Sequence, residues 1–168
     1  MEFDYTENLV EVLKSLQKRG AFLTVKDKDG KVNTMTIGWG NIGYDWGKPV
    51  FSVLVRESRY TYELIENAED FTVSVPLDDD LKSALAFCGS KSGKNFNKFN
   101  ECNLKAIEGK TTKSPVIDNC GMVYECKIVY KHVVEAENIK DETKEKWYKS
   151  GDMHRVYYGE ITNCYINK

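Results

Sequence analysis

Gly38, Gly40 and Gly43, within NTMTIGWGNIGYDWGKPVFSVLVR (residues 33–56), match G-x-G-x-x-G. That pattern holds a pyrophosphate when it opens a helix, because the first N–H groups of the helix then face the anion. Here Gly43 runs into Tyr44-Asp45-Trp46-Gly47-Lys48-Pro49, which is turn chemistry, and the next element reads as a strand. The acidic residue expected about twenty positions further on is not clearly placed either. The match is set aside as a dinucleotide fingerprint. Two readings of the glycines stay open. They relieve crowding in a bulged hairpin, or they leave the backbone bare, between Trp39 and Trp46, for close approach by something flat.

Arg56-Glu57-Ser58-Arg59-Tyr60-Thr61 follows the strand PVFSVLVR at the start of an expected helix. Helix N-termini accept phosphate, and Arg, Ser and Thr there add charge-assisted bonds. Beside a bare glycine strand, this cluster would hold the ring and the phosphate of one mononucleotide. The alternative for Arg56 and Arg59 is a solvated ion pair with Glu57 or Glu63. His154 precedes the last strand and is either a hydrogen-bond donor at a ligand or a strand-end histidine bonded to backbone. His132 reads as structural. Cys88 borders Gly89-Ser90-Lys91-Ser92-Gly93 and reads as a buried helix-end thiol, with a redox or iron-handling role as the alternative. With two histidines and no CxxC, no metal site is expected.

The elements that would position these residues follow from pattern. Leu9, Val12, Leu13 and Leu16 share one face of a helix over 9–18, stopped by Gly20. AFLTVKDKDGKVNTMTIGW reads as a hairpin, with Asp29-Gly30 supplying left-handed positions. PVFSVLVR is nearly continuous apolar, a strand covered on both faces. SRYTYELIENA reads as a helix with Ser58 as its N-cap. FTVSVP is a strand, and DDDLKSALAFCG a helix with an acidic start and a glycine end. In GMVYECKIVYKHVVE, Tyr124, Cys126, Ile128 and Tyr130 face one way and Glu125, Lys127 and Lys131 mostly the other. IKDETKEKWYKSGD is a charged surface helix, its run Lys140–Lys149 a solvated face, and HRVYYGEITNCYIN a closing strand. Several strands with interspersed helices describe a barrel-like α+β domain, mainly β, occupying residues 1–168.

A net charge of −2 excludes a basic field for nucleic acid or an anionic membrane. No stretch has membrane-spanning length, and the acidic, mixed start is unlike a signal peptide. Five cysteines without such a signal read as reduced thiols in the cytoplasm.

MTIGWGNIGYDWGKPVFSVLVRESRYTYELIENAEDFTVSVP resembles the flavin reductase-like, FMN-binding split-barrel family, in its flavoredoxin-like branch. FCGSKSGKNFNKF resembles that branch's Cys-Gly-x-x-Ser-Gly-Arg-Asp-x-x-Lys-Phe segment, and GDMHRVYYGEI its late His-x-x-x-x-Gly-Glu strand. The resemblance spans roughly residues 20–166. It implies a split β-barrel with a few peripheral helices and a non-covalent FMN near a homodimer seam. It implies an isoalloxazine against the backbone of Thr36, Ile37, Gly38, Trp39 and Gly40, a phosphate near Ser58, Arg59 and Thr61, further cofactor contacts from Met35, Arg56, Ser92 and Gly93, and a catalytic His154 beside the flavin pyrimidine edge or an incoming nicotinamide. Lys94-Asn95 stands where the branch carries Arg-Asp, so a positive charge is kept and a carboxylate lost. FMN rather than FAD is expected, because there is one phosphate cluster and no second site for an adenosine half. Three functions follow as candidates. One is an oxidoreductase taking hydride from NADH or NADPH and passing electrons to flavin, ferric iron or a partner protein. Another is an electron carrier reduced by a redox partner protein, and the third a flavin-free binding module on the same barrel.

Overall fold

A computed structural model describes residues 3–168. Helix α1 (Leu9–Lys18) leads into strands β1 (Ala21–Lys26), β2 (Val32–Ile37), β3 (Gly40–Asp45) and β4 (Lys48–Arg56). Next come α2 (Tyr60–Ile65), β5 (Asp70–Val75), α3 (Lys82–Ser90), α4 (Lys98–Glu101), β6 (Ala106–Ile107) and β7 (Val116–Ile117). The chain ends with β8 (Gly121–Val133), α5 (Asp141–Trp147) and β9 (His154–Asn167). Seven strands form one sheet in the order β2-β1-β5-β8-β9-β4-β3, every neighbouring pair antiparallel, while β6 and β7 pair separately. The end strands β2 and β3 are not paired with each other, so the sheet curls without closing into a split barrel. No helix of the described residues is long and apolar enough to cross a membrane.

Strand alternation builds two cores. On β1, Ala21, Leu23 and Val25 point into the barrel with Phe51, Val53 and Phe71, while Phe22 points outward to Ala84, Leu85 and Cys88 of α3. That is why β1 has no polar face. On α1, Val12 and Leu16 are buried, but Leu13 is 45% exposed, so the apolar stripe is narrower than its spacing suggests. The strand β4 is covered on both faces within one chain: Val50 is 2% exposed, and Phe51, Val53 and Val55 are fully buried. Its apolar run is thus covered on both faces, as its composition predicts.

Local chemistry corrects several boundaries. Only Gly30 adopts the left-handed conformation in the β1–β2 connection (φ 84°), and Asp27 shapes the loop by accepting from the N–H groups of Asp29 and Lys31. The two-residue turn with positive φ lies instead at Trp46-Gly47 (φ 54° and 73°), between β3 and β4. Ser58 does not cap α2. Arg59 is the N-cap residue and makes no side-chain cap bond, while the Ser58 hydroxyl donates to Asp152 Oδ2 at 2.7 Å. Asp78, Asp79 and Asp80 precede α3 rather than opening it, and Gly89 lies inside the helix. A Cβ there would come 3.3 Å from Thr36 Cβ, so glycine lets α3 pack close on β2. Glu125 is fully buried rather than solvent-facing, because β8 is buried on both faces up to Cys126. Beyond its bulges β8 is exposed, and Tyr130, His132, Tyr158 and Trp46 form an aromatic ledge with centroid separations of 5.5–5.8 Å.

Candidate functional site

The β2–β3 junction, the end of β4, the start of α2 and the α3–α4 loop meet at two adjoining cavities. The first, about 170 Å³, is walled by Met35, Thr36, Ile37, Gly38 and Trp39, by Leu54 and Arg56 of β4, and by Arg59, Trp147 and His154. The second, about 100 Å³, is bounded by Ser58, Arg59, Tyr60 and Thr61 on one side and by residues 88–93 with Lys98 on the other. Met35 and Arg59 line both. Among the described residues, neither lining contains a carboxylate. A slot with aromatic and apolar walls thus adjoins a polar cavity whose charged residues are all cations.

The positive charge comes from side chains. The helix α2 has only six residues, so its dipole is small. Arg59, exposed and bordering both cavities, makes no side-chain hydrogen bond or ion pair among the described residues. Lys98 is 3% exposed, and its ammonium donates to Cys88 O at 2.7 Å as its one protein partner among those residues. Burial, with the Arg59 guanidinium adding to it, holds the Lys98 ammonium below its ordinary value. Arg59, Lys91 and Lys98 line this cavity together, Lys98 buried and the other two exposed, and an anion among them offsets their mutual repulsion. Lys94 contributes nothing there, since its ammonium is held by Glu63. Thr61, buried, accepts from Asn33 Nδ2 at 2.8 Å and so keeps its own hydroxyl hydrogen to donate. Ser92 likewise accepts from Lys94 N–H and keeps its hydrogen. Ser58 is different: its N–H and hydroxyl both serve Asp152. A Cβ on Gly93 would lie 2.1 Å from Asn33 Oδ1, so only glycine lets this loop close the cavity.

The glycines of the motif divide by role. A Cβ on Gly40 would meet Ser52 O at 2.7 Å, so Gly40, which lines neither cavity, permits close packing of β3 on β4. A Cβ on Gly43 would meet nothing within 4 Å. At Gly38 it would meet only Leu16 O, at an ordinary 3.5 Å, and φ there is not left-handed. The fold does not demand glycine at 38, yet this residue borders the apolar cavity. Gly38→Ala is therefore expected to keep the thermal midpoint within a few degrees, as a surface-like change of about 0.5 kcal/mol does. It is expected to weaken ligand binding in the slot by about 5- to 150-fold, through steric overlap of the kind that costs about 1–3 kcal/mol. Calorimetric titration beside a melting curve separates the two effects.

His154 is buried beneath Trp39 (centroids 5.0 Å), and its Nδ1 shares a 2.8 Å hydrogen bond with the Tyr148 hydroxyl. Burial, then the Arg56 guanidinium, pushes its imidazole down to about 4. At neutral pH the ring is uncharged, a hydrogen-bonding group rather than a proton donor in acid catalysis. The depressed value fixes a sign. Between about 4 and 6.5 the unfolded chain binds a proton that the folded chain refuses, so His154 makes stability rise with pH across that window. NMR titration of the ligand-free protein is expected to show this imidazole neutral at pH 5.5. A midpoint near 6.5 would mean the ring is wet.

Trp147, Tyr148 and Asp152 went unnoticed in the sequence because they sit in a run that reads as a charged surface helix. Arg56 donates to Asp152 O and, at 2.9 Å, to Trp147 O, and so folds this excursion back over the site. Trp147 then packs edge-on against Trp39 at 4.9 Å. The local signal was an aromatic pair, Trp147-Tyr148, in an otherwise charged stretch. Arg56 is thus a positioning residue and not the solvated partner of Glu57 or Glu63.

The family model described as "Flavin reductase like domain" matches residues 14–168. This chain belongs to that family. An uncharacterized protein of Archaeoglobus fulgidus is 29% identical to this flavin reductase-like domain over 91% of the chain and 75% of its own length. Among solved structures, flavoredoxin of Desulfovibrio vulgaris (Miyazaki F) is 23% identical, with a TM-score of 0.69 over 89% of this chain and 69% of that one. An FMN-binding protein from Thermus thermophilus, with 1-cyclohex-2-enone bound, is 21% identical, with a TM-score of 0.67 over 87% and 68%. These likenesses establish the split-barrel fold. Among the described residues no cluster of three or more His, Cys, Asp or Glu is placed to hold a metal ion.

Proposed function

We propose that this flavin reductase-like domain is an FMN-dependent oxidoreductase that takes hydride from NADH or NADPH and delivers electrons to flavin, ferric iron or a partner protein. The observation that carries the reading is the pairing of cavities: an aromatic slot opening into a cationic seat without a carboxylate, with Arg59 shared. Bound FMN supplies the two-electron chemistry. The chain's part is to bind and orient. Arg59 and Lys98 meet the phosphate, with hydroxyl donors from Thr61 and Ser92. Met35, Ile37 and Leu54 offer apolar contact to the ring system, and the bare backbone at Gly38 admits it closely. Trp39 and Trp147 screen the slot from water, and neutral His154 offers a hydrogen bond at its edge without adding charge.

Mass spectrometry of the released cofactor is expected to give FMN, since one cationic seat serves one phosphate group. Anaerobic titration with NADH or NADPH is expected to bleach the flavin stoichiometrically. A second reading, an electron carrier reduced by a partner protein, is favoured by the half-exposed Trp39 and Trp147 at the mouth, which leave an edge open to another protein. Bleaching by a low-potential protein donor and not by either nicotinamide would select it. A purified protein that binds no flavin would overturn both.

The partner we propose is a second copy of the chain, seated on the aromatic ledge. Trp46 is 62% exposed and sits at a positive φ that a bulky residue rarely adopts, held over Tyr130 and Tyr158. Trp46→Asn relieves that backbone cost and removes the ring, so it is expected to leave the fold as stable while weakening a homodimer in sedimentation. A monomeric wild-type protein at micromolar concentration would remove this proposal.

A further inference from the structure

We propose that Cys88 and Cys102 are a redox-closable pair, joined by a hydroperoxide into a disulfide that staples the loop forming one wall of the cationic cavity. Cys88 lies on α3 and Cys102 is the C-cap residue of α4. Cys88 is buried in one small apolar cluster with Leu85 and Leu104, Cys102 packs against that cluster, and the two thiols lie within hydrogen-bonding reach of each other. Lys98 braces them: its ammonium donates to Cys88 O at 2.7 Å, and its own carbonyl accepts from Cys102 N–H at 3.1 Å. Of the five free cysteines, Cys102 alone is half-buried and the other four are buried, so Cys102 is the point of entry. Cys120 is buried in the same cluster and is the competing partner that peptide mapping separates. Cys126 and Cys164 belong to the barrel core.

The chemistry balances with the hydroperoxide as oxidant. The Cys102 sulfur attacks the peroxide, an S–O bond forms, the O–O bond breaks and an alcohol, or water from hydrogen peroxide, leaves. Cys88 sulfur then attacks the Cys102 sulfur. An S–S bond forms, the S–O bond breaks, and the departing hydroxide takes the Cys88 proton as water. Two thiols are oxidised by two electrons and one peroxide is reduced. Burial pushes the Cys88 thiol up to about 12, so the closing step is slow at neutral pH and accelerates as pH rises. The loop so closed contains Gly89, Ser90, Lys91, Ser92, Gly93 and Lys98, which together form one wall of the cationic cavity. A covalent staple restricts its freedom. The pairing stands whether or not FMN is the ligand, and only its effect on FMN affinity rests on that reading.

Purified, reduced, ligand-free protein treated with a small molar excess of hydrogen peroxide tests the pairing. It is expected to lose two alkylatable thiols of its five and two hydrogens in mass, and to yield a cross-linked Cys88–Cys102 peptide. Trypsin cleavage after Lys91 and Lys94 is expected to slow severalfold in the oxidised form. Cys102→Ser, at the half-buried position, is expected to abolish the cross-link in a folded protein, as is Cys88→Ser if that variant folds. Oxygen accumulating on Cys102 while Cys88 stays alkylatable, a cross-link to Cys120, or unchanged trypsin cleavage would each overturn the proposal. A cross-link in a protein that binds no FMN would leave it standing and sink the flavin reading instead.

Discussion

Arg59→Ala is expected to weaken FMN binding by about 1.5–3 kcal/mol, roughly 10- to 150-fold, the scale of a hydrogen bond to a charged group. The reason is that its guanidinium has no other employment: no ion pair or hydrogen bond within the described protein competes for it, and both cavities share it. Lys98→Met is expected to act on the same scale by removing the one buried cation of the lining. The double variant should lose less than the sum, because deleting one cation also relieves the repulsion felt by the other. Riboflavin, which lacks the phosphate, separates phosphate recognition from ring recognition: its affinity should be unchanged in all three variants. Lys98→Met should also keep or raise the melting temperature, since it replaces a buried, sparsely partnered ammonium with an apolar chain of similar length. Wild-type FMN affinity in Arg59→Ala would return this residue to the surface.

Glu125→Ala is expected to destabilise the fold by about 2–4 kcal/mol, without touching the site. Its carboxylate is fully buried and accepts from the N–H groups of Lys110, Thr111 and Thr112 at 2.9, 2.6 and 3.1 Å, and from both threonine hydroxyls. Removing it strands those donors. Lys110 and Thr111 are exposed enough for water to take part of the loss, which keeps the expected value below the range for a wholly buried pair. Burial raises the Glu125 carboxyl, but the hydrogen bonds from Thr111 and Lys110 outweigh it and hold the group below its ordinary 4.5. The sign follows. This stabilisation is fully present above about 4.5 and is lost as pH falls through the lower folded value. Glu125→Gln keeps the shape and loses the charge. It should therefore be milder, and its denaturant midpoint should lose part of the wild-type dependence on pH below 4.5. An unchanged midpoint in Glu125→Ala would mean the 109–114 segment docks without this anchor.

Most elements were legible because their cause is local. The helix over 9–18, the hairpin after it, the apolar β4 and the closing strand follow from spacing and turn residues that act over a few positions. The rejection of the dinucleotide motif was local too: β3 follows Gly38 where a helix was required. What the sequence misassigned were matters of company. Glu125 carries the charge of a solvent-facing residue, and only the 110–112 backbone, brought against it by the tertiary fold, makes its burial tolerable. Leu13 has the spacing of a core residue, yet no element of the described residues covers it.

By itself the sequence determined a mainly β domain, a glycine-punctuated segment followed by a strand and an Arg/Ser/Thr cluster, and a family resemblance strong enough to name. It could not rank the cations. Arg56, Arg59, Lys94 and Lys98 look alike as letters, and Lys98 was not singled out at all. Arg56 is bound by carbonyls at 147 and 152, Lys94 is held by Glu63, and Arg59, Lys98 and the exposed Lys91 are left facing the cavity. It could not separate the glycines either, since Gly38 and Gly40 differ only in what a Cβ would meet. These distinctions belong to tertiary structure, because a charge is available to a ligand only when no protein group brought near by the fold has already taken it.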